Sequence, residues 1–132
     1  MTVSENLVSA CGRRLVFVID DDQGVRASTR ALLEASGFAV RTFADAEELL
    51  AAGTANEAGC IVLDQHLSGI SGIELLEALR AQGVRTPAIM VTSDATQLGA
   101  RAADAGIAIV LRKPLASDGL EEWVNRILPE SA

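Results

Sequence analysis

A doubly wound α/β domain, five parallel strands with helices on both faces, is the fold that three features of the sequence predict. Apolar runs of strand length alternate five times with stretches of helical periodicity. Several of those runs are continuously apolar, the pattern of strands buried on both faces. Four of them also stop at side chains capable of chemistry: Asp20 and Asp21, then Asp64, Thr92 and Lys113. The carboxyl ends of the strands are where open α/β sheets bind their ligands.

In chain order, residues 1–13 are mixed and aperiodic and read as an N-terminal arm, residues 14–128 as the domain, and 129–132 as a C-terminal tail. Leu15 to Ile19 is the first strand, closed by Asp20-Asp21-Asp22. Asp22 is a natural N-cap for a helix over Gln23 to Ser36, with Val25, Leu32 and Leu33 inward and Gly37 as its stop. Ala39 to Phe43 alternates weakly, as an edge strand does, and a short helix follows from Asp45 to Ala52, closed by Gly53. Ile61-Val62-Leu63 is the third strand, entered from Cys60 and ending in Asp64. The next helix places Ile73, Leu75, Leu76 and Leu79 in one stripe and ends near Gly83. Pro87 to Val91 is the fourth strand, with proline tolerated at its first position. A small-residue helix from Ala95 to Ala105 turns Leu98 and Ala102 inward, and Ile107 to Leu111 is the fifth strand, closing on Arg112-Lys113-Pro114. Leu120, Trp123, Val124, Ile127 and Leu128 line a last helix with Ser117 as the expected N-cap.

Composition narrows the function classes. With 132 residues there is room for one domain with a proper core. Eighteen acidic against eleven basic residues leave a net charge of −7, which repels nucleic-acid phosphates and anionic membranes. Two cysteines, Cys11 and Cys60, form no disulfide framework, and one histidine offers little for zinc. The opening residues lack a secretory signal pattern and no apolar run reaches membrane-spanning length, so the expectation is a cytoplasmic chain with no membrane partner.

The strand ends carry the chemistry. A sheet in the order 2-1-3-4-5, taken over from known doubly wound folds rather than deduced, brings Asp20, Asp21, Asp64, Thr92 and Lys113 to one crevice. Crowded carboxylates repel and call for a cation, and an all-oxygen set without Cys or His suggests Mg²⁺. Lys113 adds a point charge and Thr92 a hydroxyl donor. A carboxylate nucleophile, a metal and a lysine are the parts for forming an aspartyl phosphate. Singly, Asp20 to Asp22 could be acids favourable at a helix N-terminus, and Lys113 a surface lysine; together the groups point to a site.

These motifs, Val18-Ile19-Asp20-Asp21-Asp22, Val62-Leu63-Asp64 with Gly72, Val91-Thr92-Ser93 and Arg112-Lys113-Pro114, resemble in order and spacing the receiver domains of two-component response regulators. The resemblance covers roughly residues 13 to 128. It implies a flavodoxin-like fold in which Asp64 accepts a phosphoryl group from a histidine kinase or phosphotransfer protein, the domain catalysing its own phosphorylation and dephosphorylation. It also implies that Asp20, Asp21, Asp64 and the backbone carbonyl of His66 hold Mg²⁺, and that Thr92 and Lys113 contact the phosphoryl group. A monomer or weak homodimer is expected, with a cis bond between Lys113 and Pro114.

Four places depart from the family pattern. Val110 stands where an aromatic switch residue is usual, Ser68 replaces a proline and should leave its loop freer, and Leu115 takes the place of a common phenylalanine. His66 and Asp94 hold the two positions that influence dephosphorylation. The expected function is a stand-alone receiver signalling to a protein partner. The alternatives are the receiver fragment of a DNA-binding transcription factor, a pseudo-receiver that works without phosphorylation, and a small phosphatase with an aspartyl nucleophile on the first strand. The last wants a hydroxyl residue that Asp20-Asp21-Asp22-Gln23-Gly24 does not supply.

Overall fold

A computed structural model describes residues 14–92, 99–112 and 119–128. Strand and helix alternate as β1 (Leu15–Ile19), α1 (Gln23–Ala35), β2 (Ala39–Phe43), α2 (Ala46–Ala52), β3 (Cys60–Asp64), α3 (Gly72–Ala81), β4 (Ala88–Thr92), α4 (Gly99–Asp104), β5 (Ile107–Arg112) and α5 (Leu120–Ile127). All strand pairs are parallel and the sheet runs β2-β1-β3-β4-β5, the expected order. A 3₁₀ turn at Ala55–Glu57, not foreseen from the sequence, leads into β3.

Because successive side chains of a strand point to opposite faces, each strand feeds two cores. Phe17, Ile19, Ile61, Leu63 and Met90 face Leu49 of α2 and the Ile73, Leu75, Leu76, Leu79 stripe of α3. Val16, Val18, Cys60, Val62, Ile89 and Val91 face Leu33 of α1 and Leu120 and Val124 of α5. Every residue of β3 and β4 is buried, which explains why those runs show no polar alternation. Each large aliphatic side chain so enclosed contributes about 1.5–3 kcal/mol relative to exposure.

The helix ends follow local chemistry. Asp22 accepts a hydrogen bond from the Val25 amide at 3.0 Å and Asp45 one from Glu48 at 2.8 Å, as N-caps. Ser71 and Glu74 form a reciprocal capping box at the start of α3. At the start of α5 the cap is not the expected Ser117, which lies outside the described residues. Gly119, with φ 69°, precedes the first turn and offers no side-chain cap. Pro87 stands just ahead of β4 and lends its carbonyl to the Ile61 amide at 2.9 Å. On α1 the buried residues are Thr29 and Leu33, while Val25 and Leu32 are half-buried. Leu33 and, in part, Leu32 face the core as expected, and a threonine that counting apolar residues passed over joins them on the inward face. Leu98 of the expected α4 stripe lies outside the described residues; Ala102 is buried as expected.

Candidate functional site

Register brings the acids together. Ile19 pairs with Leu63, so the next residues, Asp20 and Asp64, sit side by side at the carboxyl ends of β1 and β3. Asp64 in turn pairs with Val91 of β4, placing Thr92 one step beyond, and Thr92 pairs with Arg112 of β5. Asp20, Asp64 and Thr92 are all buried, at 4, 5 and 0 % exposure, whereas Asp21 is exposed. Carboxylate oxygens of Asp20, Asp21 and Asp64 lie within 4.8 Å of one another.

Backbone donors and loop contacts hold this arrangement. Asp20 Oδ1 accepts the Asp22 amide at 2.9 Å, and Asp64 Oδ1 accepts the His66 amide at 3.2 Å. Arg26, one turn into α1, donates from Nη1 to the Asp20 carbonyl at 2.7 Å. Gln65 organises the loop after β3. Its amide donates to the Val91 carbonyl at 3.2 Å, its carbonyl accepts from Gly72 at 2.9 Å, and its side-chain oxygen accepts from Ile73 at 3.0 Å. The Ser68 hydroxyl donates to Asp21 Oδ2 at 3.2 Å, so serine here does not simply loosen the loop, as expected, but ties it to the acid cluster.

Three carboxylates at such separations repel unless a cation or proton intervenes. The donor set is all oxygen, two members are fixed by backbone amides, and Asp21 opens to solvent. This fits Mg²⁺, which takes a few carboxylates and keeps several waters.

The comparisons with known proteins agree with this geometry. The family model described as the response regulator receiver domain matches residues 16–125. The chain belongs to the response regulator receiver family. It is 41 % identical over 118 residues to the transcriptional regulatory protein FixJ of Azorhizobium caulinodans, covering 89 % of this chain and 56 % of that one. To the transcriptional regulatory protein TdiR of Thauera aromatica it is 38 % identical, covering 86 % of this chain and 50 % of that protein. The receiver thus spans about half the length of these curated relatives. Among solved structures, FixJ-N superposes with a TM-score of 0.76 at 29 % identity, over 89 % of this chain and 95 % of that one. The Francisella response regulator 1452 receiver domain does so with 0.75 at 27 %, over 88 and 94 %.

Of the residues expected at the receiver's site, the structure brings together Asp20, Asp21 and Asp64, with Thr92 beside them on the next strand. Lys113, Pro114, Asp94 and Leu115 lie outside the described residues. His66 is exposed. Val110 is half-buried and packs toward the α2–α3 core. Arg26 and Gln65 were missed by sequence reasoning, and Ser68 was noted only as a proline replacement, because each acts by a hydrogen bond to a segment whose position only the folded loop defines. A polar residue flanking a strand-end aspartate was the one available signal.

Proposed function

We propose that this receiver is phosphorylated on Asp64 by a histidine kinase or phosphotransfer protein, in a reaction that requires Mg²⁺. The observation that carries the reading is the meeting of Asp20, Asp21 and Asp64 within 4.8 Å beside buried Thr92. Mg²⁺ would be held by these three carboxylates and the His66 backbone carbonyl, and would supply neutralising charge for the incoming phosphoryl oxygens. Asp64 is the nucleophile: its carboxylate oxygen forms the bond to phosphorus as the bond to the donor imidazole nitrogen breaks. Thr92 donates its hydroxyl to one phosphoryl oxygen and Lys113 holds another. Hydrolysis of the acyl phosphate by water returns the carboxylate.

Incubation with acetyl phosphate and Mg²⁺, read by intact mass, tests this. One phosphoryl increment is expected on the wild type and none on Asp64→Asn. An adduct that survives Asp64→Asn and needs Asp20 would instead support the aspartyl phosphatase, and no adduct at all the pseudo-receiver.

For the output, the relatives favour a second reading beside the stand-alone receiver expected from the sequence. FixJ, TdiR and the C4-dicarboxylate transport regulator DctD of Pseudomonas aeruginosa are transcriptional regulatory proteins. The receiver would then govern a DNA-binding output, and reading the gene beyond Ala132 distinguishes the two.

A further inference from the structure

The acid cluster has a floor. On the α1 side of the sheet, a cavity of about 10 Å³ lies among aliphatic side chains of β1, β3 and β4 and three polar groups, Asp20, Thr29 and Asp64. Thr29 is 3 % exposed and sits at the inward centre of α1. Valine would fill that place against Val18, Val62 and Val91 without carrying a hydroxyl into an apolar interface, which is unfavourable unless the hydroxyl is hydrogen-bonded. A space of about 10 Å³ is the least that admits one water molecule, and buried water requires two to four polar partners.

We propose that one water molecule is bound there, between the Thr29 hydroxyl and the Asp20 and Asp64 carboxylates. We further propose that through it Thr29 is a positioning residue for Asp64. The second part rests on the phosphoacceptor reading above. The donors and acceptors balance. The Thr29 hydroxyl donates to the water oxygen, and the two water hydrogens go one to each carboxylate, a group that when ionised only accepts. Each carboxylate already takes one backbone amide, from Asp22 and His66 respectively. The water adds a further fixed contact to each, spreads charge between two acids that repel, and limits rotation of the Asp64 carboxylate about its side-chain bond. A nucleophile held in one orientation reacts faster than one that samples several.

Thr29→Val keeps the shape and removes the hydroxyl; Thr29→Ser restores it. High-resolution crystal structures of the wild type and both variants are compared, alongside the rate of phosphorylation by acetyl phosphate at saturating Mg²⁺. Ordered water is expected between the three groups in the wild type and Thr29→Ser, and not in Thr29→Val. Loss of one hydrogen bond of ordinary strength predicts a rate about five-fold lower for Thr29→Val, recovered within about two-fold by Thr29→Ser. A wild-type cavity without water, or a Thr29→Val rate equal to the wild type, overturns the inference. So does Thr29→Ser as slow as Thr29→Val, since loss of the methyl group alone would then explain both. A wild type that takes no phosphoryl group sinks the phosphoacceptor reading and the positioning role with it, while the water site is judged by the electron density alone.

Discussion

Gly72 and Asp64 meet backbone to backbone: a Cβ on Gly72 would overlap the Asp64 carbonyl oxygen and lie 3.0 Å from the Met90 methyl. The first turn of α3 is thereby seated directly on the last residue of β3, with Gly72 donating to Gln65 at 2.9 Å. Gly72, which the sequence marks only as part of the receiver motif, is a spacing element of the site.

Gly72→Ala should therefore be costly, because the atoms that must move are backbone and not the end of a flexible side chain. A loss of about 2–3 kcal/mol is expected by urea unfolding, together with slower phosphorylation. Gly69→Ala, where φ is 92° but the surrounding space is open, should lose about 1 kcal/mol. Equal stability of the two variants would show that the close approach to Asp64 is relieved at no cost.

Mg²⁺ should raise the melting temperature, since the cation binds the cluster only when folding has assembled it. At ten times the dissociation constant the gain is about 1.4 kcal/mol, or about 4–7 °C for a domain of this size. Thermal melts of Asp21→Asn should lose most of the shift while keeping the fold, because Asp21 is exposed and belongs to neither core. A full shift in that variant would place the ion elsewhere.

Arg80, in the last turn of α3, braces the opposite end of the sheet. Its guanidinium donates to the carbonyls of Ala105 at 2.9 Å, Val84 at 3.1 Å, Thr86 at 2.7 Å and Gly106 at 3.3 Å. Burial, with nearby Arg85, lowers its proton affinity below the ordinary arginine range, yet four carbonyl acceptors keep the ion in place. Arg80→Ala should lose about 2–4 kcal/mol by chemical denaturation. Arg80→Lys should recover less than half, because an ammonium cannot span four acceptors in a planar fork. Complete rescue by lysine would reduce the brace to a single charge.

Cys60 is fully enclosed, and burial pushes its thiol from the ordinary 9.0 up to about 12. The folded state therefore keeps the proton that the unfolded chain gives up above pH 9.0. The stability contribution is complete below that pH and is lost as pH rises toward 12, by about 1.4 kcal/mol per unit. In urea titrations, the stability difference between wild type and Cys60→Ala should shrink over that window and stay constant below it. Under native conditions near neutral pH, Cys60 should resist alkylating reagents until the protein unfolds. A pH-independent difference would contradict the burial.

Much of this was legible in one dimension. Continuous apolar runs such as Ile61-Val62-Leu63 can be satisfied only by burial on both faces, so strand, helix and parallel sheet followed from periodicity, and strand-end acids marked the reactive edge. The cap Asp22 and the stop at Gly37 were readable because their bonds close within a few residues.

What the chain order could not decide was every contact between residues distant along it. Strand register alone sets Asp20 beside Asp64, and the rotation of α1 alone turns Thr29 toward them. The seat of Gly72 on Asp64, the tie from Ser68 to Asp21 and the four-carbonyl grip of Arg80 likewise depend on where packed elements come to rest. Local propensity and periodicity are properties of neighbouring residues and survive in the sequence. Register, helix rotation and loop closure are set by the simultaneous fit of two cores, and exist only once the sheet has assembled.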